Sequence, residues 1–308
     1  MKKIILFLPL LLFAAHVFVL HRIDDIRYPS TSTSSKKLES YIIYLKKHGY
    51  KFFTVSEITQ HLNDSKAVAF SIDDSYKSFY QNGLKVFKKY KIPFTLFVYV
   101  KATNQKWGDF VGWKELKKIQ KYGELGIHSY AHPHLCKLNN KEIINDTKKA
   151  INIFKKHMGY VPELYEYPYG EYDDRVKKII NSFFKIIVNQ NPGALDSTTK
   201  INDIDRFALV GKSNFLQKLK TKKLHAKIDV IQKNGEITEI KGEVFDKIPF
   251  INLYITGFGV KKINLKNNHF SFKPHFKLKK YRNRVIISYN NKIISKMIIK
   301  GGQNARSF

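Results

Sequence analysis

The chain of 308 residues has a single cysteine, Cys136, so no disulfide can form within it, and a fold working outside the cytosol must rely on packing or metal. Acidic residues are scarce, 25 Asp+Glu against 55 Lys+Arg, giving a formal net charge of +30. Such an excess suits nucleic acid, anionic lipid or an acidic envelope polymer. The lysines, however, are spread in pairs (Lys46-Lys47, Lys88-Lys89, Lys117-Lys118, Lys148-Lys149, Lys155-Lys156, Lys177-Lys178), as solvated helix faces carry them. No nucleic-acid motif accompanies them, so nucleic acid is not an expected partner. Internal repeats and low-complexity tracts are also lacking. What remains is a globular composition, 43% hydrophobic, 14% aromatic and 26% charged, long enough for one large domain and a smaller one.

A long uninterrupted apolar run is missing too. The stretch from Ile4 to Leu20 is broken by His16 and lies near the lower limit of about 17 residues for a spanning helix. Residues 1–15, "MKKIILFLPLLLFAA", combine a basic start, an apolar run and small residues at the end, the plan of a secretory signal. An exported, periplasmic or envelope-associated protein is therefore expected, and retention of this segment would associate it with a membrane. "HVFVL" (16–20), rich in β-branched and aromatic residues, then reads as a buried strand ending at His21, or else as the tail of a membrane helix.

From residue 38 to about 210 strand-like and helix-like segments alternate. "AVAFSID", "PFTLFVYV", "LGIH", "LYEY", "KIIV" and "RFALV" are separated by amphipathic stretches such as "NKEIINDTKKAINIFKKHMG", which predicts a parallel α/β architecture, barrel or open sheet. After about residue 215 the helical period disappears. Alternating runs with turn signals at Asn234-Gly235, Asn267-Asn268 and Asn290-Asn291 predict a small all-β module, most simply a sandwich. Its scattered aromatics fit core positions better than a sugar platform. The expected domains are 16–215 and 222–301, with a tail at 302–308.

Groups able to do chemistry stand at the ends of the apolar runs. "FSIDDS" ends in Asp73 and Asp74; adjacent acids there also fit simple helix caps. "GIHSYAHPHL" places His128 and His132 four residues apart, a spacing that brings two imidazoles to one side of a helical turn and, with a carboxylate, makes a metal site with open positions. His134 is expected beside the cleft, not as a ligand. "LYEYPYGEYDD" carries Pro168-Tyr169-Gly170, which also fits an ordinary turn. In a parallel barrel these strand ends, with His21 after "VFVL", converge on one face.

Taken together, the segments resemble the polysaccharide deacetylases of carbohydrate esterase family 4, the NodB-homology family. "SIDDS" is similar to its paired-aspartate motif, "HSYAH" to its His-Ser/Thr-x-x-His metal motif, and "YPYG" to its third motif. The likeness covers roughly residues 16–212. In most members a general-acid histidine comes late in the domain, yet here no histidine lies between His157 and His225. The opening of the chain instead resembles the circularly permuted poly-N-acetylglucosamine deacetylases, whose histidine follows the first strand. That resemblance selects the strand reading of "HVFVL" and assigns the role to His21. Two departures stand out: Ser75 where glycine commonly follows the aspartate pair, and Glu166 where the common third motif has arginine. The family's tryptophan motif cannot be placed.

The resemblance implies an irregular (β/α) barrel of NodB type with a C-terminal immunoglobulin-like sandwich. It implies Asp74, His128 and His132 as ligands of a divalent metal, Zn²⁺ before others, Asp73 as general base and His21 as general acid. The backbone N–H of Tyr169, with Pro168, would serve the oxyanion and substrate. The implied reaction removes N-acetyl groups from an amino-sugar polymer, either a poly-N-acetylglucosamine-type exopolysaccharide or peptidoglycan. The competing expectation is a non-catalytic glycan-binding protein on the same scaffold, with Ser75 and Glu166 as marks of decay.

Overall fold

The computed structural model describes residues 14–301. Eight strands form one parallel sheet: β1 (His16–Leu20), β2 (Lys51–Phe53), β3 (Ala67–Ile72), β4 (Thr95–Val98), β5 (Glu124–Ile127), β6 (Leu164–Glu166), β7 (Ile186–Val188) and β8 (Phe207–Ala208). Their order is β8-β1-β3-β4-β5-β6-β7, with β2 beside the start of β3. β1 lies between β8 and β3, pairing Phe18 with both Phe207 and Phe70, and all five of its residues are buried. "HVFVL" is thus a core strand, as its β-branched and aromatic content predicts.

The sheet curls towards closure. Ile204 makes a parallel bridge with Val188, and three residues later Phe207 pairs with β1, so one segment touches both edges. Helices such as Ser35–Lys47, Leu84–Tyr90 and Asn140–Met158 cover the outside, burying Leu38, Tyr41, Ile42 and Leu45, or Ile143, Ala150 and Phe154, at helical spacing. Asn139 caps the last of these, accepting the Glu142 N–H while the Glu142 carboxylate accepts the Asn139 N–H.

The fold begins ahead of the expected boundary at His16. Ala14 and Ala15 are buried, and Ala15 exchanges backbone hydrogen bonds with Leu195 at 2.9 and 2.8 Å. Residues 1–13, which carry most of the expected secretory signal, and the tail at 302–308 lie outside the described residues. Among the described residues no helix is long and apolar enough to cross a membrane.

The C-terminal region is β-rich. A five-stranded sheet has the order β9-β17-β16-β12-β13, from β9 (Lys222–Lys223), β12 (Phe250–Ile255), β13 (Gly259–Asn264), β16 (Arg282–Tyr289) and β17 (Lys292–Ile299). A second sheet contains β10 (Ala226–Lys233), β11 (Glu236–Val244) and β14 (His269–Phe272), with β15 (Phe276–Lys277) also on β11. Alternate residues (Ile228 and Val230, Ile251, Leu253 and Ile255, Val285 and Ile287) form a separate core, the period of a half-buried strand. The asparagine turns appear where expected, with Asn234, Asn267, Asn268 and Asn290 all at positive φ, as tight hairpins demand.

This region is fastened to the first. The imidazole of His16 lies 2.9 Å from the carbonyl of Thr221, and burial pulls its pKa down to about 4. Ser295 donates to the carbonyl of Pro192 at 2.8 Å.

Candidate active site

The site is built where β1, β3, β5 and β6 end. Asp74, His128 and His132 each present one ligand atom, all within 4.8 Å of one another. Nε2 of His128 and Nε2 of His132 are 2.9 Å apart and lie 3.2 and 3.3 Å from the Asp74 carboxylate. Donors in a tetrahedral site with bonds of about 2.0–2.1 Å stand roughly 3.3 Å from one another, so the set fits a small divalent cation. Nδ1 of His128 is held on the far side by Glu166, near its carbonyl at 3.0 Å and ion-paired with its carboxylate, which fixes the ring and leaves Nε2 for a metal.

The electrostatics agree with the geometry. Burial works against charge on Asp74, yet the two imidazoles hold its carboxyl well below the usual range. Burial likewise opposes protonation of His128, but Glu166 and Asp74 push its pKa well up. A site that draws a proton so strongly offers the same attraction to a cation.

The two histidines do not reach each other along a helix, as their spacing suggested. Residues 128–134 form an irregular turn in which Ser129 and His132 have φ of 61° and 52°, and its shape is fixed by Asp146, which accepts the N–H groups of Tyr130 and Ala131. Nor do the paired aspartates cap a helix: Asp74 and Ser75 take φ of 68° and 57°. Ser75 thus adopts the left-handed conformation that glycine favours, so the turn survives without the glycine. Tyr169, at φ 59°, makes a fifth such residue at this one place. Each costs about 1 kcal/mol, and strain concentrated this way marks a functional site.

On the other side of Asp74 lies a second carboxylate with an imidazole beside it. Asp73 is fully buried, and its backbone N–H donates to the carbonyl of Leu20 at 2.9 Å, which sets the end of β3 against the end of β1. His21 follows immediately, with Nε2 3.8 Å from the Asp73 carboxylate. The next residue anchors it: Arg22 pairs with Asp25 and Asp109 at 2.6 and 3.1 Å and covers the Tyr76 ring at 3.6 Å.

Sequence reasoning missed Arg206. Its fully buried guanidinium binds both oxygens of Asp73, at 2.7 and 3.1 Å, and reaches Glu166 at 2.9 Å. Further hydrogen bonds run to Ser71 and to the carbonyl of Asn189. Glu166, standing where an arginine was expected, is therefore the second carboxylate of an arginine supplied from elsewhere in the chain. Burial, then repulsion from Asp73, raises its pKa, against the pull of His128 and Arg206. No local motif announces Arg206; the only signal is an arginine directly before an apolar strand.

Tyr169 borders the cluster, its ring 4.4 Å from that of His132 and stacked on His134 at 4.3 Å. Pro168 is buried beneath this turn, and its carbonyl accepts the N–H of Glu171 at 3.0 Å. His134, as expected, stays outside the ligand set and pairs with Glu171 at 2.7 Å. All the predicted site residues except Pro168 are thus in contact with the cluster or its immediate neighbours.

Residues 61–183 match the family model described as polysaccharide deacetylase. The chain carries a polysaccharide deacetylase domain. The match encloses Asp73, Asp74, His128, His132 and Tyr169, and leaves out His21 and Arg206. Among curated proteins, a poly-beta-1,6-N-acetyl-D-glucosamine N-deacetylase of Staphylococcus aureus (strain MSSA476) is 31% identical over 160 residues, 46% of this chain and 55% of that protein. A protein of the same description from Staphylococcus epidermidis is 29% identical over 164 residues, 47% of this chain and 57% of that protein. The chain spans just over half the length of these curated relatives.

Two solved structures share the fold of this deacetylase domain. The Streptococcus pyogenes deacetylase PplD in complex with acetate superposes with a TM-score of 0.62 at 19% identity, covering 67% of this chain and 98% of that one. IcaB from Ammonifex degensii gives 0.57 at 22% identity, covering 64% and 92%.

Proposed function

We propose that this chain is an exported, metal-dependent N-deacetylase acting on a polymer of the poly-β-1,6-N-acetylglucosamine kind. The observation that carries the reading is the placing of a buried carboxylate, Asp73, and an imidazole, His21, 3.8 Å apart beside a three-donor cation site. Its choice of substrate rests on the curated relatives, whose descriptions name that polymer.

Amide hydrolysis needs help at both ends, because the carbonyl is a poor electrophile and the amine a poor leaving group. A divalent cation held by Asp74, His128 and His132, Zn²⁺ being the first candidate for two imidazoles and a carboxylate, would supply Lewis acidity and a more acidic water. Asp73 takes the proton of the attacking water. Arg206 and the side-chain amide of Gln190 hold that carboxylate in place. The backbone N–H of Tyr169 donates to the developing oxyanion. His21 gives a proton to the departing amine as the C–N bond breaks, leaving acetate and a glucosamine unit.

The competing reading, a glycan-binding scaffold that has lost catalysis, drew on Ser75 and Glu166. Neither departure costs the site anything it needs: Ser75 keeps the left-handed turn and Arg206 replaces the missing arginine. We further propose that the C-terminal region is an immunoglobulin-like sandwich. The test of function is metal analysis of the purified protein, followed by acetate release from β-1,6-linked N-acetylglucosamine oligomers and from peptidoglycan. The oligomers are expected to react and Asp73→Asn to lower kcat by about 10²–10⁴-fold with metal content unchanged. A metal-loaded wild type that releases acetate from neither polymer would reject the proposal.

A further inference from the structure

The C-terminal region meets the deacetylase domain beside the reacting groups. Arg282, at the start of β16, donates to the backbone carbonyl of Tyr169 at 2.8 Å and pairs with Glu171 at 3.4 Å, so it brackets the left-handed turn at Gly170 from both sides. Two residues along the same strand, Arg284 donates to the backbone carbonyl of Gln190 at 3.0 Å. Gln190 in turn reaches Asp73 and Glu166, each at 3.4 Å.

The two held segments also touch each other. Gly170 has φ +66°, and a Cβ there would lie 2.6 Å from Cβ of Gln190, so the turn packs tightly against the Gln190 loop. Arg284 is half-buried and donates to a carbonyl oxygen instead of a carboxylate, and burial together with Arg282 beside it pulls its pKa below that of an ordinary guanidinium. Burying a cation in that way is costly. An interface selected for stability alone would place an apolar side chain there.

We propose that β16 is a positioning element of the active site: Arg282 and Arg284 clamp the Tyr169 turn and the Gln190 loop, and thereby set the oxyanion-facing N–H and the surroundings of Asp73. The C-terminal region then completes the catalytic geometry and is more than a spacer. Small displacements of such groups are enough to reduce turnover about 10²-fold. The kinetic part of this inference rests on the deacetylase reading; the clamp itself does not.

The test uses the full chain with Arg282→Ala, Arg284→Ala, the double variant, Arg282→Lys, and Lys261→Ala on exposed β13 as a control. Hydrogen–deuterium exchange of peptides spanning 167–172 and 188–192 reads the clamp without any substrate. The double variant is expected to exchange faster in those two segments, with the melting temperature nearly kept and bound metal unchanged. On N-acetylglucosamine oligomers it should lose kcat by about 10–100-fold with KM changed less than about threefold. Arg282→Lys should recover part of the loss, and Lys261→Ala should match wild type. Unaltered exchange in both segments, or wild-type kcat in the double variant, overturns the proposal. Faster exchange in a protein whose wild type releases no acetate keeps the clamp and removes the deacetylase reading.

Discussion

The Asp74, His128 and His132 cluster and the Asp73, Glu166 and Arg206 side of the site are made in opposite ways. Asp74, His128 and His132 come from two short turns, shaped by local backbone strain and side-chain to main-chain hydrogen bonds. His21, Asp73, Glu166 and Arg206 come from four separate places along the chain; buried ion pairs join Arg206 to Asp73 and Glu166 across the sheet, and His21 lies 3.8 Å from Asp73. A pocket of the first kind can be written in a motif. One of the second kind exists only once β8, β1 and β3 lie side by side, so its parts answer to topology more than to spacing.

Mutations should therefore divide along this line. The largest effect is expected in the cation pocket: His128→Ala or Asp74→Ala should lose bound metal and lower acetate release by more than about 10³-fold, with metal content measured alongside turnover. Retained metal in either variant would show that the pocket is not defined by these three donors. Next comes Arg206→Met, which strands two buried carboxylates and should cost about 3–5 kcal/mol in chemical denaturation. Adding Glu166→Gln should return part of that loss, since one of the two charges is then gone.

A smaller effect separates the acid from the base. His21→Ala should reduce turnover of N-acetyl substrates about 10²-fold while changing hydrolysis of 4-nitrophenyl acetate far less, because that leaving group needs no proton. Equal losses on both substrates would argue against His21 as the acid. The smallest effect lies away from the chemistry. His16 is buried neutral, with its pKa lowered to about 4, so between about pH 6.5 and pH 4 the unfolded chain takes up a proton that the folded chain refuses. Stability should fall by about 3 kcal/mol as pH drops through that window, and His16→Gln should flatten the slope.

How much was legible beforehand follows the same division. The parallel sheet, the all-β region, the asparagine turns and the His128-His132 pair could be read from periodicity and from clusters a few residues wide, while Asp74 joined that pair only through the family resemblance. Even the place of His21, at the end of an apolar run, was legible there. Arg206 was not, since its partners stand 133 and 40 residues away, and nothing in "DIDRFALV" indicates a buried cation. The left-handed turns at Ser129 and His132 were misread as helical because a spacing of four fits both conformations. Arg282 and Arg284 were hidden among many exposed cations; only the packing of β16 against the Tyr169 turn distinguishes them.

Arg206 bears on how the deacetylase domain could be trimmed or transplanted. A fragment stopping at residue 183, where the family match ends, would retain every recognisable motif yet leave Asp73 and Glu166 facing each other with no guanidinium between them. Such a fragment should fold poorly at neutral pH and better in acid. In chains lacking the usual arginine, a guanidinium supplied from the far edge of the sheet is the feature to look for.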